Sequence, residues 1–545
     1  MPSPSSTPGV VLTRSDFSTR GVNASPEPAS LEGRDLTQAE TPLVDALRSY
    51  IEREPVRLHT PGHKGSPSGT GPLVETLGPR ALRMDVPLLT VGMDAGPHPS
   101  PLRRAEALAA RAWGARRTWF LANGASEGNH VACLALAQRG LEVVVQRNVH
   151  ASTISGLVLA GLVPTFVAPE VDPGLGIAHC LLPEALDKAL EQRPHASAAM
   201  VVSPTYYGAA ADVRGLVEVA HSHGAALVVD EAWGAHFAFH EALPDTALEA
   251  GADLVVSSTH KMVGSLTQSA MLHLGHGAEG RIEEADVATA LSLVATTSPS
   301  SLLLGSLDAV RRLAAVEGRK ILDAVLQKVE ATRAAVDALP GVEPLGESFL
   351  GLRSVHDYDP LRLAIDIRGL GISGYRLAAE LQRTADINLE LAEEGVVVLL
   401  FGMEEVPIEG CDRIILGLAE TLARLGVRRG RRFLRSVPPP PWGEPVMAPR
   451  EAFLSRHETV SAAEAVGRIV AESIAVYPPG IANVLPGERL EKGMLAYLRK
   501  ARAQGAQLRG AADPMLHTVQ ILAEDGRPHA FCRSSAAASP PMPRR

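Results

Sequence analysis

Apolar positions along the chain follow two rhythms. Between Trp113 and Leu274, short apolar runs bounded by small or polar residues recur. They are Thr118–Leu121, Glu142–Gln146, Thr165–Ala168, Ala199–Ser203, Ala226–Asp230, Leu254–Ser257 and Ala270–Leu274. Runs this short, apolar at consecutive positions, predict strands buried on both faces. Between most of them apolar residues repeat at helical spacing, as in Val213–His223. Strand and helix in alternation predict an α/β protein with a mainly parallel, doubly wound sheet. Ligands of such sheets lie beyond the carboxyl ends of the strands.

The pattern changes on either side. Residues 1–40 are rich in Ser, Pro, Thr and Gly without periodicity and read as a flexible arm. Thr41–Tyr50 reads as a capped helix with Pro42 just inside it. A long helical stretch runs from about Leu302 to Leu339, and a second α/β segment follows from about Gly341 to Ser436. The run from Val437 to Pro445 is Pro-rich and reads as a semi-rigid linker. The expected division is therefore a large domain over 41–318, a small α/β domain over 319–436, a linker over 437–447, a C-terminal α+β domain over 448–530 and a disordered tail over 531–545.

Composition narrows the function. With 545 residues and 46% apolar content, the chain can bury more than one core. A net charge of −9 without a basic block argues against nucleic acid as the main partner. Cys133, Cys180, Cys411 and Cys532 show neither disulfide nor metal spacing. No apolar run is long enough to span a membrane. The start lacks the regions of a signal peptide, so a cytoplasmic location is expected.

The candidate chemistry sits at the predicted strand ends. Ser257-Ser258-Thr259-His260-Lys261 follows the run Leu254–Val256 and delivers a lysine among hydroxyls and an imidazole. A lysine so placed can lose its proton and form a Schiff base with an aldehyde cofactor. Gly124-Ala125-Ser126 lies between a strand and a helix, where free N–H groups and a hydroxyl make an anion site; read alone, Ser126 is a simple N-cap. Asp230 ends a strand and could pair with a protonated pyridine nitrogen, or merely bind a loop backbone. His150 opens a helix, where it can cap that helix, stack on a flat ring or act as an acid. His260 could contact phosphate or donate a proton, and Ser258 could hold phosphate. Anion site, ring-stacker, acid and lysine on successive strand ends together point to pyridoxal phosphate.

Two other patterns compete. Gly369-Leu-Gly371-Ile-Ser-Gly374 matches a dinucleotide fingerprint, but the acid expected at the end of the next strand is missing. His236 and His240 have metal-pair spacing with no third ligand in view, and Pro61-Gly62 rules out a helical metal pair for His59 and His63. No metal site is expected.

The chain resembles the Orn/Lys/Arg decarboxylases of pyridoxal-phosphate fold type I. The resemblance rests on Leu58–Gly65, Phe120–Asn129, Arg147–His150, Pro204–Gly208, Val229–Phe237, Ser258–Met262, Thr296–Ser300, Tyr477–Ile481 and Pro486–Glu488, in order over about residues 41 to 530. It implies a mainly parallel seven-stranded sheet, with Lys261 as the Schiff-base lysine, Asp230 as the pyridine-nitrogen partner and His150 stacked on the ring. Ala125, Ser126, Ser258 and His260 would surround the phosphate, with Gly124 and Ala232 completing the cofactor set. The family is dimeric or larger with active sites at subunit interfaces, so Thr297 and Ser298 are expected to reach a neighbour's phosphate. The resemblance is to the shorter, biosynthetic type, for which the N-terminal wing of the inducible enzymes is not expected. Ala151 and Trp233 depart from the family's usual residues, which leaves the substrate open among arginine, lysine and ornithine.

The expected reaction is decarboxylation of a basic amino acid to agmatine or a diamine, in polyamine biosynthesis. Glu390 is the candidate for the substrate's distal cation. An aminotransferase or another fold type I lyase remains an alternative. So does a non-catalytic regulator of polyamine synthesis.

Overall fold

The computed structural model describes residues 37–65, 71–94, 99–403, 408–426, 441–477 and 480–523. Most of the expected arm, the first four residues of the linker and the whole tail lie outside them.

All seven predicted strands are present and form one sheet. They are β1 (Arg117–Leu121), β2 (Glu142–Gln146), β3 (Val163–Val167), β4 (Ala198–Val202), β5 (Ala226–Asp230), β6 (Leu254–Ser257) and β7 (Ala270–Leu274). Their order in space is β1-β7-β6-β5-β4-β2-β3. Only β7 runs against its neighbours; the other pairings are parallel. Helices cover both faces, which is why the strands are apolar at consecutive positions. In β5, Leu227 and Val229 enter one core while Ala226 and Val228 enter another on the opposite face.

Three helices position the site. Helix α1 (Gly124–Ala137) follows β1, and α2 (Ala151–Ala160) follows β2. Helix α3 (Ser301–Asp337) is a single rod of 37 residues. It leads from the large sheet to a four-stranded antiparallel sheet, in the spatial order Leu391–Ala392, Val396–Leu400, Arg362–Asp366 and Glu343–Pro344. Val229 of the large sheet and Leu363 of the small one belong to the same buried cluster, so one core runs through both.

The N-terminal helix Pro42–Glu52 is capped differently from the sequence expectation. Thr41 makes no side-chain cap bond. Instead Asp308 of α3 accepts from the N–H groups of Leu43 (2.9 Å) and Val44 (3.3 Å). Buried Arg311, 2.6 Å from Asp308, balances that carboxylate. A cap supplied from so far along the chain leaves no local sequence signal.

The glycine-rich string is a packing device. Its preceding strand, Arg362–Asp366, is antiparallel to its neighbours. A Cβ at Gly374 would lie 2.3 Å from the Glu393 carbonyl, and one at Gly369 would lie 2.7 Å from that of Gly341. The histidine pairs also separate. His236 faces Asp359 at 3.2 Å and His240 faces Asp323 at 3.0 Å, while His63 faces Asp85 at 3.1 Å. No group of three or more metal-ligating side chains occurs among the described residues. None of the described helices is long and apolar enough to cross a membrane.

The C-terminal segment has its own core around the helix Lys492–Ala503 and the strands Ile474–Tyr477, Ala482–Val484 and Gln507–Arg509. It docks through Arg147, in the loop after β2. The Arg147 guanidinium forms a two-point pair with Glu488 at 3.0 and 2.9 Å and donates to the Ala482 carbonyl at 2.7 Å. Both charged side chains are only 3% exposed.

Candidate active site

Four chain crossings converge beyond the carboxyl ends of the strands. Helix α1 presents its N-terminus; His150 is the N-cap of α2; β5 ends at Asp230; and β6 leads through Ser258 into the turn Thr259–Met262, which carries His260 and Lys261. They enclose a cavity of about 280 Å³. Gly124, Ala125, Ser126, His150, Asp230, Ala232, Ser258, His260, Lys261 and Glu390 all line it.

One end suits an anion. Gly124 has a left-handed backbone (φ 74°), and its N–H donates to the Gln268 carbonyl at 2.7 Å. No side chain caps α1, so beyond Gly124 the first-turn N–H groups of Ala125 and Ser126 remain for a ligand. Ser126, Ser258 and His260 add polar groups. His260 Nδ1 donates to the Ser269 carbonyl at 2.7 Å, which leaves Nε2 as the lone-pair nitrogen of the neutral ring. Burial pushes its pKa down and favours that neutral form.

The middle is a tethered carboxylate. Asp230 accepts from Asn129 Nδ2 at 2.8 Å and from the Ala232 N–H at 3.1 Å. Asn129 Nδ2 also reaches Ser152 Oγ at 3.0 Å, which lies 2.7 Å from His150 Nδ1. The Ser152 N–H donates to the same Nδ1 at 3.2 Å, so the neutral His150 ring carries its proton on Nε2. Burial pushes the His150 pKa down, Asp230 opposing and Lys261 and His130 reinforcing.

Lys261 Nζ lies 3.8 Å from the centre of a Trp233 ring. Burial lowers its pKa to about 8; Asp230 and Glu390 pull the other way, and Arg362 adds to the lowering. The amine is therefore partly neutral near physiological pH, the form a nucleophile needs. Glu390 is exposed at the cavity wall. Partial withdrawal from water raises its pKa, against Arg362 and Lys261.

Two residues expected at a neighbour's phosphate lie outside the cavity of their own chain. Thr297 and Ser298 are exposed, and Thr297 lines a separate cavity with Leu89, Phe120 and Leu304. Within one chain they do not meet the site. Conversely, Asn129, Ser152, Tyr206, Trp233 and Tyr477 line it without having been assigned a place there. Asn129 had a readable signal, lying one helical turn after Ser126 on the same face. Tyr477 comes from the C-terminal segment, and no spacing rule would bring it in.

An anion end, a lysine of lowered pKa and a fixed carboxylate on this sheet define the pyridoxal-phosphate-dependent transferase-like class, fold type I. The sequence agrees. Residues 41–406 match the profile of the Orn/Lys/Arg decarboxylase major domain, and residues 432–534 match that of the family's C-terminal domain. The chain belongs to the Orn/Lys/Arg decarboxylase family, whose members are pyridoxal-phosphate enzymes. It is 37% identical to an arginine decarboxylase of Halalkalibacterium halodurans over 89% of this chain and 98% of that one. It is 34% identical to an arginine decarboxylase of Bacillus subtilis over 90% and 99% of the two chains. The fold is similar to that of the Escherichia coli constitutive lysine decarboxylase, with TM-score 0.72 at 20% identity over 89% and 82% of the chains.

The residues present fit pyridoxal phosphate. The open α1 terminus with Ser126, Ser258 and His260 matches a phosphate, Lys261 matches an aldehyde, and the doubly held Asp230 carboxylate matches a pyridinium N–H.

Proposed function

We propose that the protein decarboxylates a basic amino acid, arginine foremost, with pyridoxal phosphate held in this cavity. The observation that carries the reading is the meeting of Lys261 and Asp230 with the uncapped N-terminus of α1 in one cavity. The arginine decarboxylases at 34–37% identity support the choice of substrate. The bound cofactor supplies a ring that accepts the electrons of the breaking Cα–carboxylate bond.

The protein's own groups do the rest. The N–H groups of Ala125 and Ser126, with Ser258, would hold the phosphate, and its charge favours the proton that His260 Nε2 needs in order to donate to it. Asp230, oriented by Asn129 and the Ala232 N–H, keeps a proton on the pyridine nitrogen and so maintains the positive ring. His150, its proton fixed on Nε2, faces the same space. Lys261 would hold the cofactor through its aldehyde, and its amine would be free for proton transfer once substrate occupies the cavity. Carbon dioxide leaves. Lys261, or His260 once its Nε2 has taken up a proton, then returns a proton to Cα, and the amine product departs. Glu390 pairs with the substrate's distal cation.

The working unit is a dimer or larger. Thr297 and Ser298 are exposed and outside the cavity of their own chain, as residues that serve a neighbour would be. Val56 and Leu58, 87% and 89% exposed, offer apolar surface for such a contact. We place the reaction in the cytoplasm, where the free thiols of Cys133, Cys180 and Cys411 would stay reduced.

The test is release of carbon dioxide from arginine, lysine and ornithine separately, with cofactor added and Lys261→Ala as control. Release from arginine, lost in the variant, with agmatine as product, is the expected result. Formation of a keto acid in place of carbon dioxide and amine would move the assignment to transamination.

A further inference from the structure

Trp233 is shared by two cations. The Lys261 Nζ lies 3.8 Å from the centre of its ring and the Arg362 guanidinium carbon 3.9 Å. Arg362 opens the strand Arg362–Asp366 of the small sheet and is 1% exposed. Its Nε donates to the Tyr206 carbonyl at 2.8 Å, and its Nη2 donates to the same oxygen. Its Nη1 is buried with no hydrogen-bond partner among the described residues. Tyr206 and Trp233, both walls of the active-site cavity, pack edge to face at 5.9 Å.

The backbone makes room for this arrangement. Gly208 has φ 93°, and a Cβ there would lie 3.2 Å from Arg362 Cβ and 3.1 Å from the Asp359 carbonyl. The glycine that ends Pro204-Thr-Tyr-Tyr-Gly208 therefore admits Arg362 to its place beneath the site.

A buried arginine whose hydrogen bonds go to one neutral carbonyl is costly, and the Asp359 and Glu390 carboxylates offset part of that cost by favouring its charge. Here its charge faces an indole ring and the reacting lysine. We propose that Arg362 is a positioning residue for Lys261: by occupying the Trp233 ring and placing a fixed positive charge beside the amine, it disfavours the ammonium form and holds Lys261 ready to bind an aldehyde. The inference rests on Lys261 being the reacting amine. A ring polarised by one guanidinium offers less to a second cation, and like charges across a desolvated ring repel. The carboxylates of Asp230 and Glu390 oppose this by favouring the ammonium, and the neighbouring His150 ring adds no charge while neutral. With Arg362 gone, Asp230 and Glu390 favour the ammonium without its opposition; the accompanying rise in the Glu390 pKa acts the other way only where that carboxyl becomes protonated.

The experiment uses cofactor-free, full-length protein. Competitive acetylation of Lys261 across pH, read by peptide mass spectrometry, gives the midpoint of the amine directly. Arg362→Gln keeps an N–H donor for the Tyr206 carbonyl without the charge, and Arg362→Met keeps the stem without an orphaned polar atom. In either one that folds, the midpoint should rise by about one pH unit. Arg362→Lys, which keeps the charge, should stay within about a third of that shift. An unchanged midpoint in a folded uncharged variant overturns the proposal, as does a full shift in Arg362→Lys. Reduction of the cofactor-loaded wild type with borohydride, followed by peptide mapping, shows separately whether Lys261 carries the cofactor. Failure of the underlying reading is thus distinguishable from failure of the role given to Arg362.

Discussion

Glu488→Gln should loosen the C-terminal segment from the site while leaving the large sheet folded. Glu488 is one half of the buried pair with Arg147, and it also accepts the Leu485 N–H at 2.9 Å. The substitution changes almost no volume but leaves the Arg147 charge buried without its counter-ion. Removing one partner of such a pair costs about 3–5 kcal/mol. That cost falls on the contact between the loop after β2 and residues 481–488, which includes the pairing of His150 with Ile481. Hydrogen exchange of the strands Ile474–Tyr477 and Ala482–Val484 is the direct assay. At a factor of ten per ~1.4 kcal/mol, exchange there should quicken roughly a hundred-fold or more, while β5 and β6 stay protected. Tyr477 forms part of the cavity wall, so kcat/KM should fall as well. The double variant Arg147→Met with Glu488→Met removes both charges and should recover most of the protection. Unchanged exchange in Glu488→Gln, or a double variant as loose as the single, would refute the reasoning.

Other substitutions probe the centre. Asn129→Leu removes a hydrogen bond to a buried carboxylate, worth about 1.5–3 kcal/mol, and should lower turnover roughly ten- to a hundred-fold in steady-state assays with little change in melting temperature. Cofactor uptake by the cofactor-free protein should speed up with rising pH and level off above about 8, because burial has lowered the Lys261 pKa to that value and only the neutral amine attacks; stopped-flow absorbance would show it, and a rate flat from pH 6 to 9 would contradict it. Glu390→Gln should raise KM by about fivefold with kcat nearly unchanged, since an exposed ion pair is worth at most ~1 kcal/mol. A loss confined to kcat would remove Glu390 from substrate binding.

The sequence disclosed this fold where physics is local. Continuous apolar runs located all seven strands of the large sheet to within two residues, because a strand covered on both faces has no polar alternation to blur it. Short polar strings at the ends of those runs disclosed Asp230 and Lys261 for the same reason. What stayed hidden depends on distance along the chain. Asp308 caps a helix some 265 residues away, and Arg147 meets Glu488 across 341. Arg362 reached the site only through the folding of the small sheet against the large one, helped by a glycine whose purpose is invisible until Arg362 is in place. The fingerprint at Gly369–Gly374 misled in the opposite sense: its glycines answer to close backbone contacts with Gly341 and Glu393, which a local pattern cannot register.

The central claim is that Lys261, one of only seven lysines in the chain, is the group that carries the cofactor. Loading the protein with pyridoxal phosphate, reducing with borohydride and mapping the modified peptide tests it directly. A pyridoxyl group found stoichiometrically on Lys261, and absent from Lys261→Ala, is the predicted result. Modification spread over exposed lysines such as Lys188 or Lys320, with Lys261 unlabelled, would contradict the account.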